Sequence, residues 1–170
     1  MLTAITVYGD LIDRSPAPDL HGELAKLYNR VGRADDAAAQ VAAGLELGRA
    51  TADRFPAERR HLIGFFADHD TAEALRLAEL DLAERQDIHS HAWYAWALLQ
   101  NGNERAALDA IAPALSTRTD DPWIRYQAGS IYAVNQMPAE AASMLTAALD
   151  MNPQFDIVHA ERARELLADL

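Results

Sequence analysis

The residues that come nearest to a metal-binding set form two short groups of potential ligands: Asp68, His69, Asp70, His89 and His91. Imidazole nitrogen and carboxylate oxygen are common ligands of transition metals. A helix of about 12 residues at 1.5 Å each would separate the two groups by roughly 18 Å. His89 and His91 are also two residues apart on a predicted helix, so their side chains face different ways. We therefore predict no metal site and interpret these histidines as turn, surface or partly packed residues.

Adjacent carboxylates are a second candidate for chemistry, because paired acids provide acid–base catalysis. Asp35-Asp36 and Asp120-Asp121 each precede a predicted helix. Acidic side chains there accept hydrogen bonds from free backbone N–H groups and interact favourably with the helix dipole. Phosphate-binding, nucleophile-elbow, zinc-protease and dinucleotide-binding motifs are missing from the sequence. We predict that the protein is not an enzyme and uses no cofactor.

The composition is that of one acidic, helical domain. The chain has 170 residues, half of them hydrophobic, and a net charge of -11. This charge disfavours binding to nucleic acid and to anionic membrane surfaces. The lack of cysteine excludes disulfides and thiolate chemistry. Neither a targeting segment nor an apolar stretch long enough for a bilayer is visible, so we expect a cytoplasmic protein without membrane insertion.

A repeat of about 34 residues runs through the sequence. Residues 94–102 align with residues 128–136 at this shift, which also carries Ala107 onto Ala141. Residues 24–32 fit the same pattern, and a weaker copy lies between the first and the third. A period near 34 built from two helices is typical of α-solenoids. No stretch alternates with the period of two that a strand requires, so we expect no sheet.

Apolar periodicity and turn residues predict ten helices. They cover approximately residues 2–14, 18–31, 34–48, 57–68, 71–85, 89–101, 104–117, 122–135, 138–150 and 155–168. Gly32 and Gly102 lie where turns require positive φ, and Pro122 and Pro138 suit the first turn of a helix. Short polar side chains at helix starts are the predicted N-caps: Asp35, Asp70 or Thr71, and Asn103.

This organisation resembles the tetratricopeptide repeat (TPR) family over nearly the whole chain. The match is most specific in the last copy, where Ala128-Gly129 and Tyr132 occupy the small-residue and tyrosine positions of the first helix. Ala141 and Leu145 occupy the corresponding positions of the second helix, and Pro153 takes the terminal proline position. The second copy is degenerate.

The resemblance implies an all-α fold, a right-handed α-solenoid of about four TPR helix pairs in a single domain, 1–170. Its parts would be an N-terminal half-repeat helix at 1–17, repeats at 18–50, 54–87, 88–121 and 122–154, and a C-terminal capping helix at 155–170. In the second repeat Asp81 stands where a small residue is usual. The half-repeat at the start favours a fragment of a longer chain.

Small side chains at fixed repeat positions would let neighbouring helices approach closely. We interpret five such residues as helix–helix contact points without a direct functional role: Ala25, Ala95, Ala107, Gly129 and Ala141. A larger side chain at these positions would push the helices apart.

The resemblance also implies a concave groove lined by the first helix of each repeat. Its predicted lining has a basic end and an apolar, aromatic end: Lys26, Arg30 and Arg59 in the former, and Ile63, Phe66, Trp96, Leu99, Trp123 and Tyr126 in the latter. Exposed aromatic side chains in a concave surface are typical anchors for a bound peptide. The predicted function is therefore a protein–protein interaction scaffold or adaptor, whose partner presents apolar anchors and acidic groups.

Several alternatives stay open at the level of sequence. The aromatic residues could pack between helices, and the first or the last helix could fold over the groove. The chain could also be a homo-oligomer that assembles through an exposed open end. A sensor of a small ligand or signalling peptide, or a regulatory domain of a larger enzyme, would have the same repeat pattern.

Overall fold

The chain folds into α-helices joined by short turns, in a computed structural model that describes residues 2–117 and 120–170. The helices are Leu2–Arg14 (α1), Pro18–Arg30 (α2), Ala34–Arg54 (α3), Arg59–His69 (α4), Thr71–Glu84 (α5), Ile88–Gln100 (α6), Glu104–Leu115 (α7), Pro122–Val134 (α8), Pro138–Met151 (α9) and His159–Asp169 (α10). These residues contain no strand, so the predicted all-α class is confirmed. Residues 1, 118 and 119, in the predicted half-repeat and third repeat, lie outside the described residues.

Eight of the ten predicted helices agree with the observed limits to within two residues. The two exceptions are α3, which continues beyond Gly48 to Arg54, and α10, which begins at His159 and not at residue 155. A β-carbon at Gly48 would lie 2.9 Å from Phe66 Cζ, so this glycine makes room for a ring and does not end the helix. The carboxylate of Asp156 accepts from the backbone N–H of His159, which places the helix start there.

The chain divides into two compact units, the first ending at Leu77 and the second comprising Ala78–Leu170. In the first unit α2 packs against α1, α3 and α4, and α3 also contacts α4. In the second unit α6 pairs with α7 and α8 pairs with α9, while α8 also contacts α6, α7 and α10. Each unit has large, fully buried side chains: Ile63, Phe66 and Leu77 in the first, and Ile111, Ile124, Ile131 and Leu145 in the second.

Three helices end in the same hydrogen-bonded turn. After α6, Gly102 N–H donates to Leu99 O and Asn103 N–H donates to Leu98 O, both at 2.9 Å. The same pair of bonds follows α2 at Gly32 and α8 at Gln136. This is a Schellman turn, whose central residue is left-handed. The values of φ are 76° at Gly32, 74° at Gly102 and 60° at Gln136, which confirms the predicted positive φ of both glycines.

Replacing Gln136 with glycine should stabilise the protein. A left-handed conformation costs a residue with a side chain about 1–2 kcal/mol, and glycine adopts it freely at some cost in unfolded-state entropy. We expect Gln136→Gly to raise the free energy of unfolding by about 1 kcal/mol in urea titrations followed by circular dichroism. Gln136→Ala, which keeps the strain, is the matched control and should change little. A less stable glycine variant would contradict the prediction.

The predicted helix–helix contact points are buried. Ala25, Ala95, Ala107 and Ala141 are at most 2 % exposed. At Gly129 in α8, a β-carbon would lie 2.6 Å from Leu145 Cγ in α9 and 3.1 Å from the backbone nitrogen of the same residue. The absence of a side chain at this position is therefore what allows α8 and α9 to pack so closely.

Aspartates begin α6 and α8. The Asp87 carboxylate accepts from the N–H groups of His89 and Ser90, and Asp121 does the same for Trp123 and Ile124. The predicted role of Asp121 is thus confirmed.

Other predicted helix starts have mixed outcomes. Pro122 and Pro138 lie in the first turn of their helices, and Asp70 Oδ1 accepts from Glu73 N–H, all as predicted. The predicted cap at Asp35 is wrong, because Asp35 lies inside the first turn of α3, whose N-cap is Arg33. Asn103 is the N-cap residue of α7, but its side chain makes no capping bond.

A buried carboxylate links the end of α5 to α6 within the second unit. Asp81 is 2 % exposed and accepts a hydrogen bond of 2.7 Å from the Ser90 hydroxyl. It also accepts from Arg85 Nη1 at 3.0 Å, one turn along α5. Ser90 and Arg85 therefore provide hydrogen-bond donors for the carboxylate of Asp81, the residue that departs from the repeat pattern.

Candidate functional site

Aromatic residues one turn apart on α6 and α8 create the main candidate site. Trp93 and Trp96 lie on α6, and Trp123 and Tyr126 lie on α8. The ring centroids of Trp93 and Trp123 are 5.9 Å apart, and those of Trp96 and Tyr126 are 5.5 Å apart. These separations fall within the range of favourable aromatic pairs. The packing of α6 against α8 thus joins the two helices through two pairs of rings.

Two residues near the start of α10 complete this cluster. The Phe155 ring lies 5.6 Å from Trp123 and 5.5 Å from Tyr126. The His159 ring lies 4.7 Å from Trp123 and 5.3 Å from Tyr126. We call the six rings the aromatic face: Trp93, Trp96, Trp123, Tyr126, Phe155 and His159.

The aromatic face is buried on one side and partly exposed on the other. Trp96 is 5 % exposed and Tyr126 is 2 % exposed, so in this structure both belong to the core. Trp93, Trp123 and Phe155 are partly exposed. Leu99 of α6, also predicted to line the groove, is partly exposed as well.

The predicted apolar residues of the first unit are fully buried. Ile63 and Phe66 of α4 each have 0 % exposure. Gly44 and Gly48 of α3 leave room for neighbouring rings, because β-carbons there would lie 2.6 Å from Phe65 Cζ and 2.9 Å from Phe66 Cζ. The core interpretation that the sequence left open therefore describes Ile63 and Phe66 in this structure.

The three predicted basic residues also lie in the first unit. Lys26 Nζ is 2.9 Å from Glu23 Oε1 and 3.9 Å from Asp68 Oδ2, so its charge is already paired. Arg30 is exposed at the end of α2. Arg59 is partly buried, and its Nε donates to the carbonyl oxygen of Ala52 at 3.4 Å.

Several of the histidine and carboxylate groups considered for metal binding contact other side chains of the protein. The His69 ring packs 4.8 Å from Phe65, centroid to centroid, and Asp70 accepts from Arg49 at 2.7 Å. This bond to Arg49 lowers the pKa of Asp70. His89 Nδ1 lies 3.7 Å from Asp121 Oδ2. The part of the chain that the structure describes holds no group of three or more potential metal ligands.

His69 should make stability depend on pH. Burial lowers the pKa of His69 below its ordinary value of 6.5, and the nearby Asp68 carboxylate opposes this shift. As the pH falls through 6.5, the unfolded chain gains a proton that folded His69 does not, so the unfolded state is favoured. We expect the wild type to lose more unfolding free energy between pH 7.5 and 5.5 than His69→Gln does. Parallel pH profiles of the two proteins would contradict this assignment.

Two buried polar atoms lie on α8 beside the aromatic face. Gln127 Nε2 and Ser130 Oγ have no hydrogen-bond partner among the described residues, and their side chains are 1 % and 6 % exposed. A buried polar group without a partner costs about 1–3 kcal/mol. Nothing in the sequence distinguished Gln127 from an ordinary surface glutamine.

Phe155 and His159 were absent from the predicted site. The sequence suggested that the last helix could fold over the groove, but it did not indicate which residues would do so. Phe155 lies in the turn that precedes α10 and His159 is the first residue of that helix, so helical periodicity did not connect the two rings.

No family model matches this chain, and no curated protein matches it either. Of the helices described above, none combines the length and the apolar character needed to cross a bilayer.

Proposed function

We propose that the chain is a TPR-like protein-interaction module whose helix pairs form a right-handed solenoid. The observations in support are local. Schellman turns recur at Gly102 and Gln136, 34 residues apart, and the pairs α2/α3, α6/α7 and α8/α9 pack together. Small residues are buried at the repeat positions where such pairs need close approach. In this proposal the role of the chain is binding and not catalysis.

The proposed binding surface is the part of the aromatic face that α6 and α8 supply, where Trp93 and Trp123 meet and stay partly exposed. A single observation carries this proposal: two tryptophan rings in contact remain partly exposed beside a buried aromatic cluster. Tryptophan is among the residues that contribute most at protein interfaces, because a large rigid ring is buried at a small entropic cost. A peptide with apolar side chains would cover these rings.

The basic residues of the first unit provide a proposed selectivity for acidic groups in the partner. The residues concerned are Lys26, Arg30 and Arg59, of which Arg30 is exposed at the end of α2 and Lys26 Nζ lies 2.9 Å from Glu23 Oε1. Charged residues at the rim of an interface act mainly on the association rate and on the choice of partner. The partner class is therefore a protein segment with apolar anchors and carboxylates.

The test is an affinity capture from lysate with the full chain, followed by titration of the captured partner. Trp93→Ala/Trp123→Ala should weaken binding by about 30-fold, the equivalent of about 2 kcal/mol. The control is Phe55→Ala, which removes a 50 % exposed ring outside the aromatic face. Circular dichroism must show that all three proteins are folded.

Equal capture by the wild type and the tryptophan variant would reject this surface. Capture of no partner, together with a mass that rises with concentration, would favour the self-assembly alternative. The apolar residues exposed on α1 provide a surface for it: Leu2, Val7 and Leu11.

A further inference from the structure

The chain's own residues 152–170 cover part of the rings that α6 and α8 supply to the aromatic face. Phe155 and His159 supply two of its six rings, and the His159 ring also lies 6.1 Å from Trp96. Because His159 is only 9 % exposed, it is enclosed by the rings of α6 and α8. The surface proposed to bind a partner is thus already in contact with an intramolecular segment.

This segment is attached through few buried side chains. Within α10 only His159, Ala160 and Ala163 are buried, whereas α8 buries seven residues. Val158 and Leu170 are 45 % and 46 % exposed, and four further apolar residues of the segment are only partly buried: Phe155, Ile157, Leu166 and Leu167. Elements with few buried apolar contacts open locally at a lower free energy than the core. Residues 152–170 are therefore expected to detach while α6 to α9 stay folded.

Several hydrogen bonds that organise the segment run within it. Asp156 Oδ1 accepts from the N–H groups of Val158 and His159 at 2.8 Å and lies 2.9 Å from His159 Nδ1. Arg164 donates to the carbonyl oxygens of Ala160 and Pro153. Because these bonds do not depend on α6 or α8, the segment keeps them when it leaves the aromatic face.

We propose that residues 152–170 act as an intramolecular ligand that competes with the partner for the rings that α6 and α8 supply to the aromatic face. The partner segment is inferred to carry an aromatic residue and, four positions later, a histidine, because this pair reproduces the contacts of Phe155 and His159. This inference rests on the proposed function and adds its regulation. Partner binding then requires displacement of the segment, so the apparent affinity falls by the fraction of molecules in the open state.

The direct test uses the full chain with the intramolecular ligand weakened. Phe155→Ala/His159→Ala should bind a fluorescently labelled peptide of residues 152–170 at least about tenfold more tightly than the wild type does, as measured by anisotropy. The peptide carrying the same two alanines should bind neither protein. The control chain is Arg162→Ala/Glu165→Ala, which removes an exposed ion pair on α10 outside the aromatic face. Equal affinity of the wild type and the weakened variant, or equal binding of both peptides, would overturn the proposal.

Hydrogen exchange of the wild-type chain gives an answer even if the double variant does not fold. Amides of α10 should exchange through openings of lower free energy than amides of α8. If both helices exchange only through the same global unfolding, residues 152–170 are part of the core and the proposal fails.

Failure of this inference is distinguishable from failure of the proposed function. A captured partner that binds the wild type and Phe155→Ala/His159→Ala equally, but loses affinity for Trp93→Ala/Trp123→Ala, would leave the binding surface in place and overturn the competition. A partner that binds Phe155→Ala/His159→Ala more tightly than the wild type would support both the proposed binding surface and the competition by residues 152–170.

Discussion

Trp96→Ala is expected to lower the free energy of unfolding by about 3–5 kcal/mol. Trp96 is 5 % exposed and its ring contacts Tyr126 and His159, so truncation leaves a large cavity between α6, α8 and α10. Removal of a buried tryptophan costs the transfer free energy of the ring and the cavity term together. A domain of this size is stabilised by only about 5–15 kcal/mol, so the variant loses a large part of its margin.

Urea denaturation followed by circular dichroism at 222 nm measures this effect without relying on tryptophan emission. Trp93→Ala is the matched control, since it removes the same side chain from the same helix at a partly exposed position. Trp93→Ala should lose clearly less free energy of unfolding than Trp96→Ala. If both substitutions cost the same, or if Trp96→Ala costs less than about 1 kcal/mol, Trp96 is not the core residue described above.

The second large effect is expected at Asp81. Asp81→Ala should cost about 2 kcal/mol, because hydrogen bonds to a charged group contribute about 1.5–3 kcal/mol. Ser90, with 0 % exposure, would lose its 2.7 Å acceptor. This loss of unfolding free energy is smaller than the loss expected when one partner of a fully buried ion pair is removed. The Arg85 side chain is 37 % exposed, so it can be hydrated once Asp81 is gone.

A double-mutant cycle separates the contact from the other consequences of truncation. Ser90→Ala alone should cost less than Asp81→Ala, because it leaves the carboxylate paired with Arg85. The double variant should cost less than the sum of the two single changes, as expected for residues in contact. Strict additivity would show that the Asp81–Ser90 hydrogen bond contributes nothing to stability.

Most helix limits could be predicted because they depend on local chemistry. Gly32 and Gly102 mark turns that need positive φ, and Pro122 and Pro138 mark first turns. The error at α3 has a tertiary cause. Gly48 resembles a helix terminator in sequence, but its function is to admit the Phe66 ring, which comes from another helix.

The depth of each aromatic residue could not be predicted from the repeat pattern. Trp96 and Trp123 were both predicted to line the groove, yet Trp96 is buried and Trp123, the second residue of α8, stays partly exposed. Phe155 and His159, which pack against Trp123, come from a segment outside the repeats. Periodicity describes which side of a helix is apolar, and it does not describe what a later part of the chain places there.

The location of the tryptophans gives the two units different optical signatures. All three, Trp93, Trp96 and Trp123, belong to the second unit, and the first unit has none. Intrinsic emission excited at 295 nm therefore reports on the second unit alone, whereas circular dichroism at 222 nm reports on the helices of both. Superimposable unfolding curves from the two signals would mean that the units unfold in one cooperative transition, and displaced curves would give each unit its own midpoint.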